Sequence, residues 1–109
     1  VRTGSDPGRL RFRLELQEEI ETPDGAGGFS TAWVLRRFTW AELMPLSAAR
    51  IERAGNALAE ITHEIRIRRQ DGVKPGIRFV LGMRRFRIET VRDPDETGRF
   101  LHCLAKEEI

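Results

Sequence analysis

The stretch "AEITHEIRIRRQDGVKPGIRF" (residues 59–79) decides the fold. Ile61, His63, Ile65 and Ile67 fall on one side of an extended chain, and Thr62, Glu64, Arg66 and Arg68 fall on the other. That two-residue period belongs to a half-buried strand. The strand runs into "QDGVKPG" (70–76), where Pro75-Gly76 suits the middle of a type II turn, and a new apolar run begins at Ile77. The centre of the chain is therefore a strand, a turn and a strand.

The same pattern extends outward. Leu10, Phe12, Leu14 and Leu16 alternate with Arg9, Arg11, Arg13 and Glu15, which makes a first strand. "TPDGAGG" (22–28) is a Gly-rich connector. It has no lysine and no helix signal after it, which argues against a phosphate-binding loop. "FSTAWVLRRFTWAELMPL" (29–46) carries both tryptophans with imperfect alternation. It reads as one long or bulged strand, or as two short ones. After the central turn, "IRFVLG" is joined near Gly82 to "RRFRIETV", and "RDPDETG" leads to a final strand in "RFLHCLAKE". Only residues 47–58 break the pattern. Ala48, Ile51, Ala54 and Leu58 recur at helical spacing behind a Ser47 N-cap, with Gly55 and Asn56 near the end. So short a helix is marginal alone and must lean on something else. The expectation is an all-β chain: a small antiparallel β-barrel or sandwich of about six strands with one short helical insert.

Totals bound the function. The 109 residues fit one domain, expected over 9–109 behind a flexible lead-in at 1–8, with the insert at 45–60. Hydrophobic residues make up 39% and charged residues 33%, a globular composition. No apolar run approaches the ~18 residues that span a bilayer, and no signal peptide opens the chain, so no membrane partner is expected. Cys103 alone allows no internal disulfide, which fits assembly in a reducing cytoplasm. Of the 19 basic residues, 17 are arginine. Arginine suits carboxylate and phosphate contacts at interfaces, although a GC-rich genome gives the same bias.

Few residues offer chemistry. "HEIR" lacks the second histidine of a zinc-protease helix, and His102 and Cys103 point to opposite faces of a strand, so no metal or cofactor is expected. No nucleophile–base arrangement is visible, so no catalytic residue is assigned. His63, on the apolar face, is expected to be a core residue. Arg11 and Arg13, Arg66 and Arg68, and Arg85 and Arg87 lie on the non-core faces of three strands, together with Glu15, Glu64 and Glu89. A basic barrel face is one route to nucleic-acid binding. The interleaved glutamates and the lack of aromatics on those faces favour a mixed-charge surface that meets a neighbouring subunit.

The order of these features resembles the head–tail joining, or head-closure, proteins of tailed bacteriophages, prophages and gene transfer agents. The resemblance runs from "GRLRFRLELQ" (8–17) through "TAW" (31–33) and "WAELMPLS" (40–47). It continues with "THEIRIR" (62–68), "PGIRF" (75–79) and its hairpin, and "LHCLAKE" (101–107). It departs at Arg50 and Ile51, where such helices carry an acidic residue and an aromatic, and at Arg69, where a tyrosine is usual. The resemblance implies a noncatalytic assembly protein of the head–tail connector, put together in the host cytoplasm. Such a protein forms a ring of about six or twelve copies and helps retain packaged DNA. Its partners would be the portal and adaptor rings on one side and a tail-tube or tail-terminator protein on the other. Pro45, Leu46, Ser47, Arg50, Ile51, Arg53 and Leu58 would form the docking segment, unless the insert projects into the channel or plugs the barrel end. The charged face could line the channel, touching double-stranded DNA nonspecifically through phosphates. The alternative function is a small-barrel nucleic-acid-binding module using the arginine-rich faces.

Overall fold

A computed structural model describes residues 10–46, 61–93, 96 and 98–108. Six strands form: β1 (Phe12–Pro23), β2 (Phe29–Pro45), β3 (His63–Arg68), β4 (Arg78–Leu81), β5 (Arg84–Arg92) and β6 (Phe100–Glu108). They close into an antiparallel barrel in the order β1-β2-β3-β6-β5-β4, which resolves the choice between barrel and sandwich. Among the described residues there is no helix. The expected helical insert lies outside them apart from its two roots.

Alternation explains the core. Leu14 and Leu16 of β1, Ile65 and Ile67 of β3, Phe79 of β4 and Phe86 of β5 all point inward, and none is more than 2% exposed. Closure rests on three facing pairs between β1 and β4: Glu15 with Val80, Leu16 with Phe79, and Gln17 with Arg78. Phe79 also faces Phe86 across the β4–β5 ladder, so one aromatic layer joins three strands. The β4–β5 link is a two-residue hairpin with Gly82 at φ 61° in its first central position, as a type II′ turn requires. Gly76, at φ 98°, occupies the left-handed site of the expected type II turn.

Beyond Gln17, β1 pairs only with β2. The hairpin therefore leaves the barrel as a two-stranded arm. The six residues from Glu18 to Pro23 extend it by roughly 20 Å at ~3.3 Å per residue. The whole molecule measures 56 × 30 × 27 Å. At the arm's tip the Asp24 carboxylate accepts hydrogen bonds from the backbone N–H of Ala26 (2.8 Å) and Gly28 (3.1 Å).

β2 is one long strand with a bulge at Arg36: Leu16 faces Arg37, whereas the next residue, Gln17, faces Leu35. At the other end of β2, Pro45 faces His63 and the Leu46 N–H donates to the Thr62 carbonyl (2.9 Å). The two roots of the 47–60 connection are therefore held side by side, at the end of the barrel opposite the arm.

Truncating the closure layer tests this account. Phe79→Ala should lower the unfolding free energy by about 3–5 kcal/mol in urea titration, as expected for an aromatic removed from a packed core.

Candidate assembly surfaces

His63 points into the barrel and is 8% exposed. Its ring meets Phe86 edge-on at 5.0 Å, and Nδ1 lies 2.9 Å from the Thr62 hydroxyl. Burial pushes its pKa below the ordinary value and outweighs the opposing pull of the Glu107 carboxylate. The ring is a satisfied part of the core, as the alternation of residues 61–67 implies. Cys103 is fully buried, and burial pushes its thiol up to about 12, so it stays protonated at neutral pH. Among the described residues, no group of three His, Cys, Asp or Glu side chains is placed to hold a metal ion.

The charged-face expectation needs a correction at two of its residues. Glu64 and Arg66 do point away from the barrel interior, yet they are only 7% and 1% exposed. The Arg66 guanidinium donates to Glu42 on β2, with Nη2 at 2.9 Å and Nε at 3.0 Å, and lies over the Phe100 ring at 4.7 Å. The His102 Nδ1 lies 2.6 Å from Glu64, across the β3–β6 ladder. Side-chain alternation tells inside from outside but not which outside face is covered. Arg68, Arg85 and Glu89 are exposed, and Arg87 is half-buried with its guanidinium 3.9 Å from Glu108. The ion pairs at the barrel surface use other partners than the strand pattern suggests: Glu18 with Arg36 and Lys74, and Glu107 with Arg84. Glu107 takes two bonds from the Arg84 guanidinium at 2.8 and 3.0 Å, which hold its carboxyl below the usual range.

Of the expected docking residues, Pro45 and Leu46 stand at the insert's root. Ser47, Arg50, Ile51, Arg53 and Leu58 lie outside the described residues.

A different surface emerges on β2. The bulge at Arg36 shifts the alternation, so Trp40, Phe38, Leu35, Trp33 and Phe29 line one outer stripe. Phe29 is 67% exposed, Trp40 54%, Leu35 46% and Phe38 45%. Arginines from neighbouring strands cover part of it: the Arg13 guanidinium lies 4.2 Å from the Phe38 ring centre, and that of Arg78 lies 4.1 Å from Trp33. The expectation that aromatics are absent beside the arginine faces is thus wrong for β1, whose Arg13 faces Trp40 directly. The alternation of Phe38 and Trp40 against Thr39 and Ala41 was a usable signal, but the bulge hid its continuation.

An elongated six-stranded barrel, with an apolar-faced arm at one end and a long connection rooted at the other, has no catalytic constellation among its described residues. The family model for phage head completion proteins matches residues 5–108. The chain belongs to the phage head completion protein family. The match spans nearly the whole chain and supports a role in virion assembly. The structure is similar to one chain of the virion of a native gene transfer agent particle, with 34% identity, a TM-score of 0.67, and 89% of this chain and 93% of that one covered. It is also similar to the solution structure of protein SF1141 from Shigella flexneri 2a, at 26% identity and a TM-score of 0.78, covering 94% and 96%. Comparison with curated proteins gives no match.

Two measurements check the buried groups. Arg66→Ala removes the charge that faces Glu42 in a shielded setting and should cost about 3–5 kcal/mol by denaturant unfolding, whereas Arg84→Ala, at an exposed pair, should cost under about 1 kcal/mol. For His63, an NMR titration should give a midpoint below 6.5. The unfolded chain then binds the extra proton first. Stability from this group is intact above pH 6.5 or so and is lost as pH falls through the depressed folded value. His63→Gln should flatten that part of the stability profile.

Proposed function

We propose that this head completion protein is a noncatalytic ring component of the head–tail connector, joining the DNA-filled head to the tail and helping to retain packaged DNA. The observation that carries the reading is the family match over residues 5–108, together with the 34% identity to a chain of a gene transfer agent virion. In this reading residues 9–109 act as one barrel domain behind a lead-in at 1–8. The 45–60 segment docks on the portal-side adaptor, and the opposite rim meets the tail. The geometry supports such a division. β2 runs from the arm tip at Phe29 to Pro45 at the insert's root, so the two ends are separated by roughly 50 Å of one strand at ~3.3 Å per residue. Contacts with DNA in a lumen would be to phosphates and salt-dependent.

The nucleic-acid-binding module finds less support. The aromatics next to the arginines are already engaged by them, and Glu15, Glu19 and Glu21 lie on the same outer face of β1. A base stacking on Trp33 or Phe38 would have to displace an arginine and approach these carboxylates.

Deletion of the gene in the producing cells, followed by electron microscopy, tests the proposal. Separate heads and free finished tails, with DNA poorly retained, are expected. Normal tailed particles with full DNA content would overturn it.

A further inference from the structure

The outer stripe of β2 is only partly covered among the described residues, by Arg13 over Phe38 and Arg78 over Trp33. The arm that carries half of it is tied to the barrel by little more than that Arg78–Trp33 stack and the Lys74–Glu18 pair. A two-stranded ribbon is marginal by itself in water, and β1 past Gln17 and β2 before Leu35 pair in the sheet only with each other. Its outer face mixes apolar side chains on β2 (Leu35, Trp33 and Phe29) with acids on β1 (Glu19 and Glu21). Glu19 faces Trp33 and Glu21 faces Thr31 in the ladder. Glu19 lies within electrostatic reach of Arg78, and Glu21 makes no ion pair with any described residue.

The complementary surface is on the same chain, on the opposite wall. In the order β1-β2-β3-β6-β5-β4, β5 is three strands from β2 in either direction, so the two outer faces point away from each other. The outer face of β5 presents Arg85, Arg87 and Arg92. A bulge at Glu89, where Ile88 faces Ala105 and Thr90 faces Leu104, keeps Arg92 outward and turns Val91 toward the core. Arg85 and Arg92 make no ion pair with any described residue, and Met83, at the head of the strand, is 96% exposed. Among the described residues, one wall thus carries Glu19 and Glu21 beside apolar rings, and the other carries the exposed guanidinium groups of Arg85 and Arg92, with Glu89 between them.

From this we infer that the outer face of the β1–β2 arm is covered by the β5 wall of a second copy of this chain, in a head-to-tail contact. An isologous contact would put the acids of one copy against the acids of the other, which like-charge repulsion opposes. A heterologous contact between opposite walls repeats from copy to copy and closes into a ring when the rotation permits. The inference rests on the proposed ring, to which it adds the surfaces. It concerns only side-to-side contact between copies. DNA, or another head or tail protein, on the stripe is the competing occupant.

The test uses particles made with the full chain, carrying the photo-crosslinking residue p-benzoylphenylalanine in place of the exposed Leu35. Irradiation should yield a ladder of multiples of this chain, with the crosslinked peptide mapping to residues 82–92 of a second copy. Crosslinks to residues 29–45 of a second copy, to another protein or to DNA would overturn the inference while leaving a multicopy ring standing. A chain found in one copy per particle would overturn the ring and the inference together. Charge reversal gives an independent reading. Glu19→Arg with Glu21→Arg should keep the melting temperature of the isolated chain yet cut finished particles by about tenfold or more, and adding Arg85→Glu with Arg92→Glu should restore them. Failure of the combined variant to restore particles, with each variant folded, counts against the contact.

Discussion

The packing of Leu16 on Phe79 closes the barrel, and the rest of the molecule depends on it. Only three residue pairs join β1 to β4, so the seam between the first and fourth strands is short. Its strength lies in what sits beneath it. Phe79 is shared with Phe86 on the next strand, and His63 meets Phe86 from β3. One apolar layer thereby connects β1, β3, β4 and β5 across the interior. Closing the sheet removes free edges from the barrel and concentrates them on the arm, where β1 carries Glu18, Glu19 and Glu21. Charged residues on an exposed edge discourage indiscriminate strand addition, so the arm can offer an apolar face without offering an edge.

The seam also marks the height at which β2 changes face. Leu16 closes the barrel on one side and faces Arg37 on the other, and the bulged residue Arg36 follows immediately. Without the bulge, positions 40, 38, 36 and 34 would share a face, and the stripe would be broken by an arginine. With it, Trp40, Phe38, Leu35 and Trp33 align. A single inserted residue thus separates a barrel wall from a contact surface.

This explains how far the amino-acid sequence was legible. Strict alternation in residues 10–16 and 61–68 gave the inward faces directly, and the glycines at 76 and 82 gave the turns, because each needs only local stereochemistry. Residues 29–46 resisted because two alternations of opposite phase meet at Arg36, and the phase change appears only once the partner strand is known. The burial of Arg66 and Glu64 was illegible for another reason. Period two assigns a side chain to the outer face but says nothing of what lies over that face. Charged side chains there are read as solvated by default, and the Glu42 and His102 contacts that make burial tolerable come from strands distant in the chain.

The same strand, β2, belongs to both ends of the molecule. Its first half is the arm, its middle forms the barrel wall with β1 and β3, and its last residues fix the root of the connection beside Thr62. A protein that joins two large bodies must hold two different contact sites at a set distance, and flexible linkers between separate modules would not do so. Here the spacing is held by one continuous backbone, paired with β1 from Phe29 to Ala41 and with β3 from Ala41 to Pro45. The buried Arg66–Glu42 pair ties β2 to β3 close to the connection's root, and the Leu16 seam ties β1 to β4 at the base of the arm. In the proposed connector role, a pull applied to β2 at either end would therefore load ladders and buried contacts.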